Sequence, residues 1–159
     1  MPLDRVGHLV AVHRPDVTHV VDLLEVEEEQ VRHVVSAEAL ALARDLGVDT
    51  VAIGTFDELA AVREEFPGDV LVLAPSYPRP LDDVGPHVVQ TVAHVQTLRS
   101  GSGERVVLEA MTSMRRHGIR PDEVAAAAQH LDRVRLEGLA FHLPMDRHGG
   151  YDPAAEVVD

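Results

Sequence analysis

The sequence predicts an α/β fold built around a mostly parallel sheet. Short apolar runs rich in β-branched residues alternate with helical patterns along the chain, and 45% of the residues are hydrophobic while only 3% are aromatic. A core with so few aromatic residues has to be filled by Val, Leu, Ile and Ala, which is typical of parallel sheets buried on both faces. The alternation implies right-handed βαβ crossovers, in either a doubly wound or a barrel arrangement.

Six segments are predicted to be strands because each is a short apolar run enriched in β-branched residues. They are HLVAV at 8–12, TVAIG at 50–54, VLVLA at 70–74, VVQTV at 88–92, RVVLEA at 105–110 and LEGLAFH at 136–142. The length of 159 residues predicts a single domain over 1–159, and the alternation of strand-like and helical runs predicts a sheet of five to seven strands. We expect an open or incompletely closed sheet whose edge strands promote self-association. The acidic segment at 17–32 favours neither helix nor strand.

Helical signals separate these strands. The first helical pattern ends in Gly47, which suits a helix stop. Thr55 and Glu58 have the spacing of a capping box, in which two backbone N–H groups at a helix start are satisfied. Pro121 and the two acids after it suit a first helical turn, where the missing N–H and the helix dipole favour them.

Charge and composition exclude several classes of partner. The 14 basic residues and 27 acidic residues give a formal net charge of −13, which repels nucleic-acid phosphates and anionic membrane surfaces. All of the basic residues are Arg, so no side chain offers a primary amine for a Schiff base. The chain has no Cys and no apolar run long enough for a signal peptide or a membrane helix, so we expect a cytoplasmic location.

The segment HLPMDRHGGYD is the densest group of potential metal ligands. It places His142, Asp146, His148 and Asp152 within eleven residues. Their spacing matches no standard zinc pattern, so a solvent-exposed acidic loop is the better interpretation and no metal is predicted. The chain also lacks the GxGxxG, GxxxxGKS and GxSxG patterns of dinucleotide, P-loop and hydrolase sites.

Several stretches resemble the N-terminal barrel domain of alanine racemase. GVDTVAIGTFDELAAVRE followed by DVLVLAP is similar to the second strand, its helix and the third strand of that domain. VVLEAMTSMRRHGIRPDE is similar to the fifth-strand segment, whose pattern ends in Met-x-Arg-x-Gly, and LEGLAFHL to the sixth strand with its terminal His. The resemblance covers roughly residues 34–145 and implies a partial TIM-barrel-like fold with about six of the eight βα units.

The resemblance implies a pyridoxal-phosphate site at the carboxyl ends of the strands. Met114, Arg116 and His142 are its candidate cofactor-binding residues, and we expect Arg116 and His142 to approach each other there. Arg116 would favour a small anion or a phosphate-bearing ligand. The alternative is that Arg115 and Arg116 form a solvated loop pair and that His142 is a hydrogen-bonded strand end.

The chain departs from the family at the first strand. There the family has a Lys that binds the cofactor as an imine and moves the α-proton of the amino acid, whereas here His13 stands about where that Lys is expected. His13 is the candidate catalytic residue, because an imidazole can transfer protons although it cannot form a stable imine. We also expect the chain to lack the separate β-domain that supplies a second catalytic Tyr in the racemases.

These features predict a degenerate or truncated relative of alanine racemase with a binding or scaffolding role. An amino acid or a small anion is the expected ligand, and a second copy or another chain is the expected partner. The alternative is a pyridoxal-phosphate-dependent amino-acid racemase, linked to cell-wall precursors, that is completed by missing sequence or by another chain. A fold fragment without activity is the third interpretation.

Overall fold

The structure is a computed structural model that describes residues 10–12, 37–75, 81 and 83–143. The strands are β1 Val10–Val12, β2 Thr50–Ile53, β3 Asp69–Val72, β4 Val88–Val92, β5 Arg105–Ala110 and β6 Arg135–His142. The α-helices are α1 Ala37–Asp45, α2 Leu59–Glu65, α3 Val95–Leu98 and α4 Val124–Ala128. Short 3-10 helices lie at Phe56–Glu58, Pro121–Glu123 and Leu131–Arg133. The strand predictions are therefore confirmed, while the unassigned segment 17–32 lies outside the described residues.

The strands form a curled sheet that resembles half of a barrel. Its order is β1-β6-β5-β4-β3-β2, and the five strands from β2 to β6 are parallel to their neighbours. This confirms the predicted partial TIM-barrel-like α/β fold. Within the described residues β1 and β2 lie at opposite ends, so the sheet is open there.

Strand β1 differs from the others in direction. It pairs antiparallel with β6, with Val10 opposite His142 and Val12 opposite Ala140. In a closed βα barrel the first strand would run parallel to the second and lie beside it. Here β1 instead occupies the edge that β6 leaves unpaired, and it runs from the carboxyl end of the sheet toward the amino end.

Local signals place the helices largely as predicted. Gly47 follows α1 with a φ of +68°, a conformation that glycine adopts without steric cost. The backbone N–H of Thr55 donates to Oε2 of Glu58 over 2.7 Å, which satisfies one donor at the helix start. Pro121 begins a 3-10 turn that leads into α4. Within the connection from β3 to β4, the described residues 73–75, 81 and 83–87 contain no helix.

The two faces of the sheet bury different side chains. The outer face packs against the helices and contains large aliphatic residues, including Ile53, Val72 and Leu108. The inner face carries a separate set of apolar residues from successive strands, namely Ala52, Leu71, Val89, Val107 and Ala140. No helix within the described ranges is both long and apolar enough to cross a membrane.

A β-bulge in β6 brings the side chains of both Glu137 and His142 onto this inner face. Val106 pairs with Leu136, but Val107 pairs with Gly138, so Glu137 is an extra residue in β6. Side chains alternate between faces along a strand. The extra residue therefore places both Glu137 and His142 on the inner face, because it shifts the alternation by one position between them.

Arg105 connects several segments at the amino end of the inner face. Its Nη2 donates to Asp69 Oδ2 over 2.6 Å, its Nε to Glu137 Oε1 over 2.7 Å and its Nη1 to the carbonyl oxygen of Pro86 over 2.9 Å. The side chains of Arg105 and Glu137 are 10% and 6% exposed. One guanidinium thus joins β3, β5, β6 and the loop before β4.

We expect Arg105→Ala to lower the free energy of unfolding by about 3 kcal/mol, because the change takes from the carboxylates of Asp69 and Glu137 the most buried of their cationic partners. Urea unfolding followed by circular dichroism measures this loss. Arg135→Ala is the matched control, since Arg135 is exposed and its ion pair with Glu137 is worth at most about 1 kcal/mol. Equal losses in the two variants would contradict the role given to Arg105.

The stability of the fold is also expected to depend on Asp69 in acid. The hydrogen bond from Arg105 holds the pKa of Asp69 below its usual value. A carboxyl whose pKa is lowered by folding stabilises the fold fully above its unfolded pKa of about 4 and loses that contribution as the pH falls through the folded value. Unfolding free energies measured from pH 6 downward should therefore decrease below about pH 4. Asp69→Asn should flatten that decrease; an unchanged slope would refute the linkage.

Candidate functional site

A buried carboxylate and an imidazole meet at the carboxyl end of the inner face. Glu109 lies in β5 opposite Ala140, and His142 ends β6 two residues later. His142 Nδ1 is 2.6 Å from Glu109 Oε1. The side chain of Glu109 is 0% exposed and that of His142 is 14% exposed, so the pair reaches the sheet edge only through the imidazole. The contact with the carboxyl group fixes the orientation of the ring.

The second oxygen of Glu109 has no hydrogen-bond partner among the described residues. A buried carboxylate oxygen without a donor is costly, because water no longer solvates its charge. Such groups are rare in folded proteins and each one calls for a physical explanation, a functional role among them. The inner end of β5 is therefore a chemically unusual place in this fold.

The loop after β5 is closed at its base by backbone hydrogen bonds. Met111 N–H donates to Ile119 O over 3.0 Å, and Ile119 N–H donates to Glu109 O over 2.8 Å. Gly118 has a φ of +129°, and a Cβ at that position would collide with the backbone of Ala110 and Met111. Only glycine fits there, so residues 112–117 project from the sheet edge as a compact loop.

Thr112 ties this loop to the end of β6. Its hydroxyl donates a hydrogen bond to the carbonyl oxygen of His142. Arg115 N–H donates to Thr112 O over 2.9 Å, which closes a tight turn. The loop and the Glu109–His142 pair therefore share one edge of the sheet and are held together by a side-chain contact.

The residues predicted for the site lie in different surroundings. Met114 and Arg116 lie in the loop and are exposed, whereas His142 points into the inner face. All three lie at the carboxyl edge, and no hydrogen bond joins Arg116 to His142 in the described structure. Their role in cofactor binding stays a prediction. His13 lies outside the described residues, and the strand before it runs away from this edge.

Sequence reasoning missed Glu109 and Thr112, and it named Arg115 only as part of a solvated loop pair. Glu109 carried a signal, since it is an acid within the apolar strand RVVLEA.

The prediction that no metal is bound concerns the segment that begins at His142, most of which lies outside the described residues. Within the described part of the chain, no group of three or more His, Asp or Glu side chains is placed to hold a metal ion.

We expect His142→Ala to lower the free energy of unfolding by about 3 kcal/mol, because it leaves the buried Glu109 carboxylate without its donor. In a Glu109→Leu background the same change should cost about 1 to 2 kcal/mol less, since no carboxylate remains to be stranded. Chemical unfolding of the wild type, both single variants and the double variant gives this difference. Strictly additive losses would show that the two side chains are not coupled.

Comparison with known proteins gives a family for this chain. No curated protein matches it. A family model described as alanine racemase, N-terminal domain, matches residues 30–155, which include the strands β2 to β6 and the loop after β5 but not His13. The match covers most of the chain and agrees with the half-barrel sheet. This chain therefore belongs to the alanine racemase N-terminal domain family.

Proposed function

We propose that this chain is a ligand-binding relative of the racemase barrel domain that has lost the racemase reaction, with a binding or scaffolding role. The observation that carries the proposal is the absence of Lys from all 159 residues. The family depends on pyridoxal phosphate, which its members attach through a Lys side chain. Without that amine the chain retains the scaffold and not the covalent attachment.

The residues at the carboxyl edge do not fit covalent capture of the cofactor. An imine needs a neutral primary amine, and the cationic side chains available here are guanidiniums that stay protonated, together with imidazoles. One oxygen of the buried Glu109 side chain has no hydrogen-bond partner among the described residues, and a carboxylate oxygen is no nucleophile for an aldehyde in this setting. Attachment of pyridoxal phosphate therefore disagrees with the chemistry of this edge.

Non-covalent binding of an anionic ligand fits the same residues. The guanidinium of Arg116 is exposed and can donate two parallel hydrogen bonds to a carboxylate or phosphate group. The imidazole of His142 is held in one orientation by Glu109, so it can donate to or accept from a bound group without losing much entropy. A small anion or an amino acid is the proposed ligand.

The open sheet favours a second candidate function, a racemase completed by another chain. Strands β2 and β1 end the described sheet, and unpaired strand edges are ready templates for pairing with a further strand. A second copy of this chain could pair there, but it would bring no Lys. A partner of different sequence would have to supply both the amine and the remaining units.

We expect the purified chain to form no internal adduct with pyridoxal phosphate and to racemise alanine no faster than free cofactor does, because no side chain can make the imine. Borohydride reduction followed by intact mass and peptide mapping tests the first point, and only the amino terminus can be labelled. Calorimetry should detect reversible binding of a small anion or a phosphate-bearing ligand, and Arg116→Ala should abolish that binding. An internal adduct, or racemisation that scales with protein and disappears in His13→Ala, would overturn the proposal.

A further inference from the structure

Two adjacent guanidiniums on the loop after β5 make no hydrogen bond or ion pair with any described residue. They belong to Arg115 and Arg116, and both residues are exposed. The other arginines in the described ranges each make such a contact: Arg44, Arg63, Arg99, Arg105, Arg120, Arg133 and Arg135. The pair therefore differs from the rest of the arginines that the structure describes.

This lack of internal partners is notable in a chain with a formal net charge of −13. Carboxylates are abundant, and an exposed arginine in such a protein readily finds one nearby. Arg120, only a few residues along the chain, pairs with Asp122 and Glu123. Arg115 and Arg116 thus concentrate positive charge at one point of an otherwise acidic molecule, and such a point attracts small anions.

The backbone of Arg115 is held in an unfavourable conformation. Its φ is +52°, and it is the residue other than glycine that has a positive φ in the described structure. A side chain with a Cβ is disfavoured in this left-handed region, whereas glycine adopts it freely. An arginine at such a position costs stability that a glycine would not, and residues of this kind cluster at ligand-binding sites.

The loop that carries the pair is fixed at both ends. Backbone hydrogen bonds between Met111 and Ile119 close its base, and the Thr112 hydroxyl bonds to the end of β6. The turn from Thr112 to Arg115 sets the backbone direction at the first arginine. The two guanidiniums therefore project from a preformed loop, and a ligand has little backbone to order when it binds.

From these observations we propose that Arg115 and Arg116 together form a phosphate-selective site, in which both guanidiniums bind the same phosphomonoester dianion. This rests on the proposed binding function and names its ligand class. One guanidinium is enough for the two oxygens of a carboxylate, whereas the three terminal oxygens and double charge of a phosphomonoester can accept from two. Arg115 is then the residue that determines preference for phosphate over carboxylate.

The test compares two probes of similar shape, benzyl phosphate and phenylacetate, by calorimetry at pH 8 and low salt, where the first is a dianion and the second a monoanion. The variants are Arg115→Gly, which keeps the left-handed backbone, and Arg120→Ala, which removes one nearby positive charge as the matched control. Thermal unfolding of each variant is measured in parallel.

We expect the wild type to prefer benzyl phosphate, and Arg115→Gly to reduce that preference about tenfold while phenylacetate binding stays within about twofold, as for the loss of one charge-assisted contact. The melting temperature of Arg115→Gly should be unchanged or higher because glycine relieves the strain. Arg120→Ala should keep the preference. If Arg115→Gly keeps it, the two-arginine site is wrong while the binding function stands; if the wild type binds neither probe, both proposals fail.

Discussion

The fold depends on one guanidinium that is nearly enclosed by the strands it joins. Arg105 contacts Asp69 in β3, Glu137 in β6 and the carbonyl oxygen of Pro86 before β4. Hydrogen bonds in a sheet leave neighbouring strands some freedom to slip, and a slip of one residue exchanges the faces of a strand. A planar fork with three acceptors fixed around it removes that freedom, because each acceptor belongs to a different segment.

The two ends of the inner face differ in whether their polar groups have hydrogen-bond partners. At the amino end Arg105 donates hydrogen bonds to two carboxylates and one carbonyl oxygen. At the carboxyl end Glu109 keeps an oxygen without a partner, and Arg115 and Arg116 lack internal acceptors among the described residues. In parallel βα folds the amino end of the sheet generally serves stability and the carboxyl end serves function. The distribution of satisfied and unsatisfied groups in this chain follows that division.

The sequence was a good guide where the signal is local. Apolar β-branched runs located the strands, and Gly47 and the Thr55–Glu58 spacing located helix ends, because these preferences act within a few residues. The direction of β1 was not foreseen, since periodicity says nothing about which strand becomes the neighbour. Glu109 contacts His142 only because of the way side chains alternate between the two faces of β6, which the sequence of β5 does not reveal. The left-handed backbone at Arg115 cannot be recognised from the composition.

The bulge at Glu137 decides which side of β6 faces the interior. If Glu137 paired regularly with Val107 instead, every residue from Gly138 onward would move one position along β5 and face the other side of the sheet. Phe141 would then point inward and His142 toward the helices, so Glu109 would lose its donor although every chemical group of the site were still encoded.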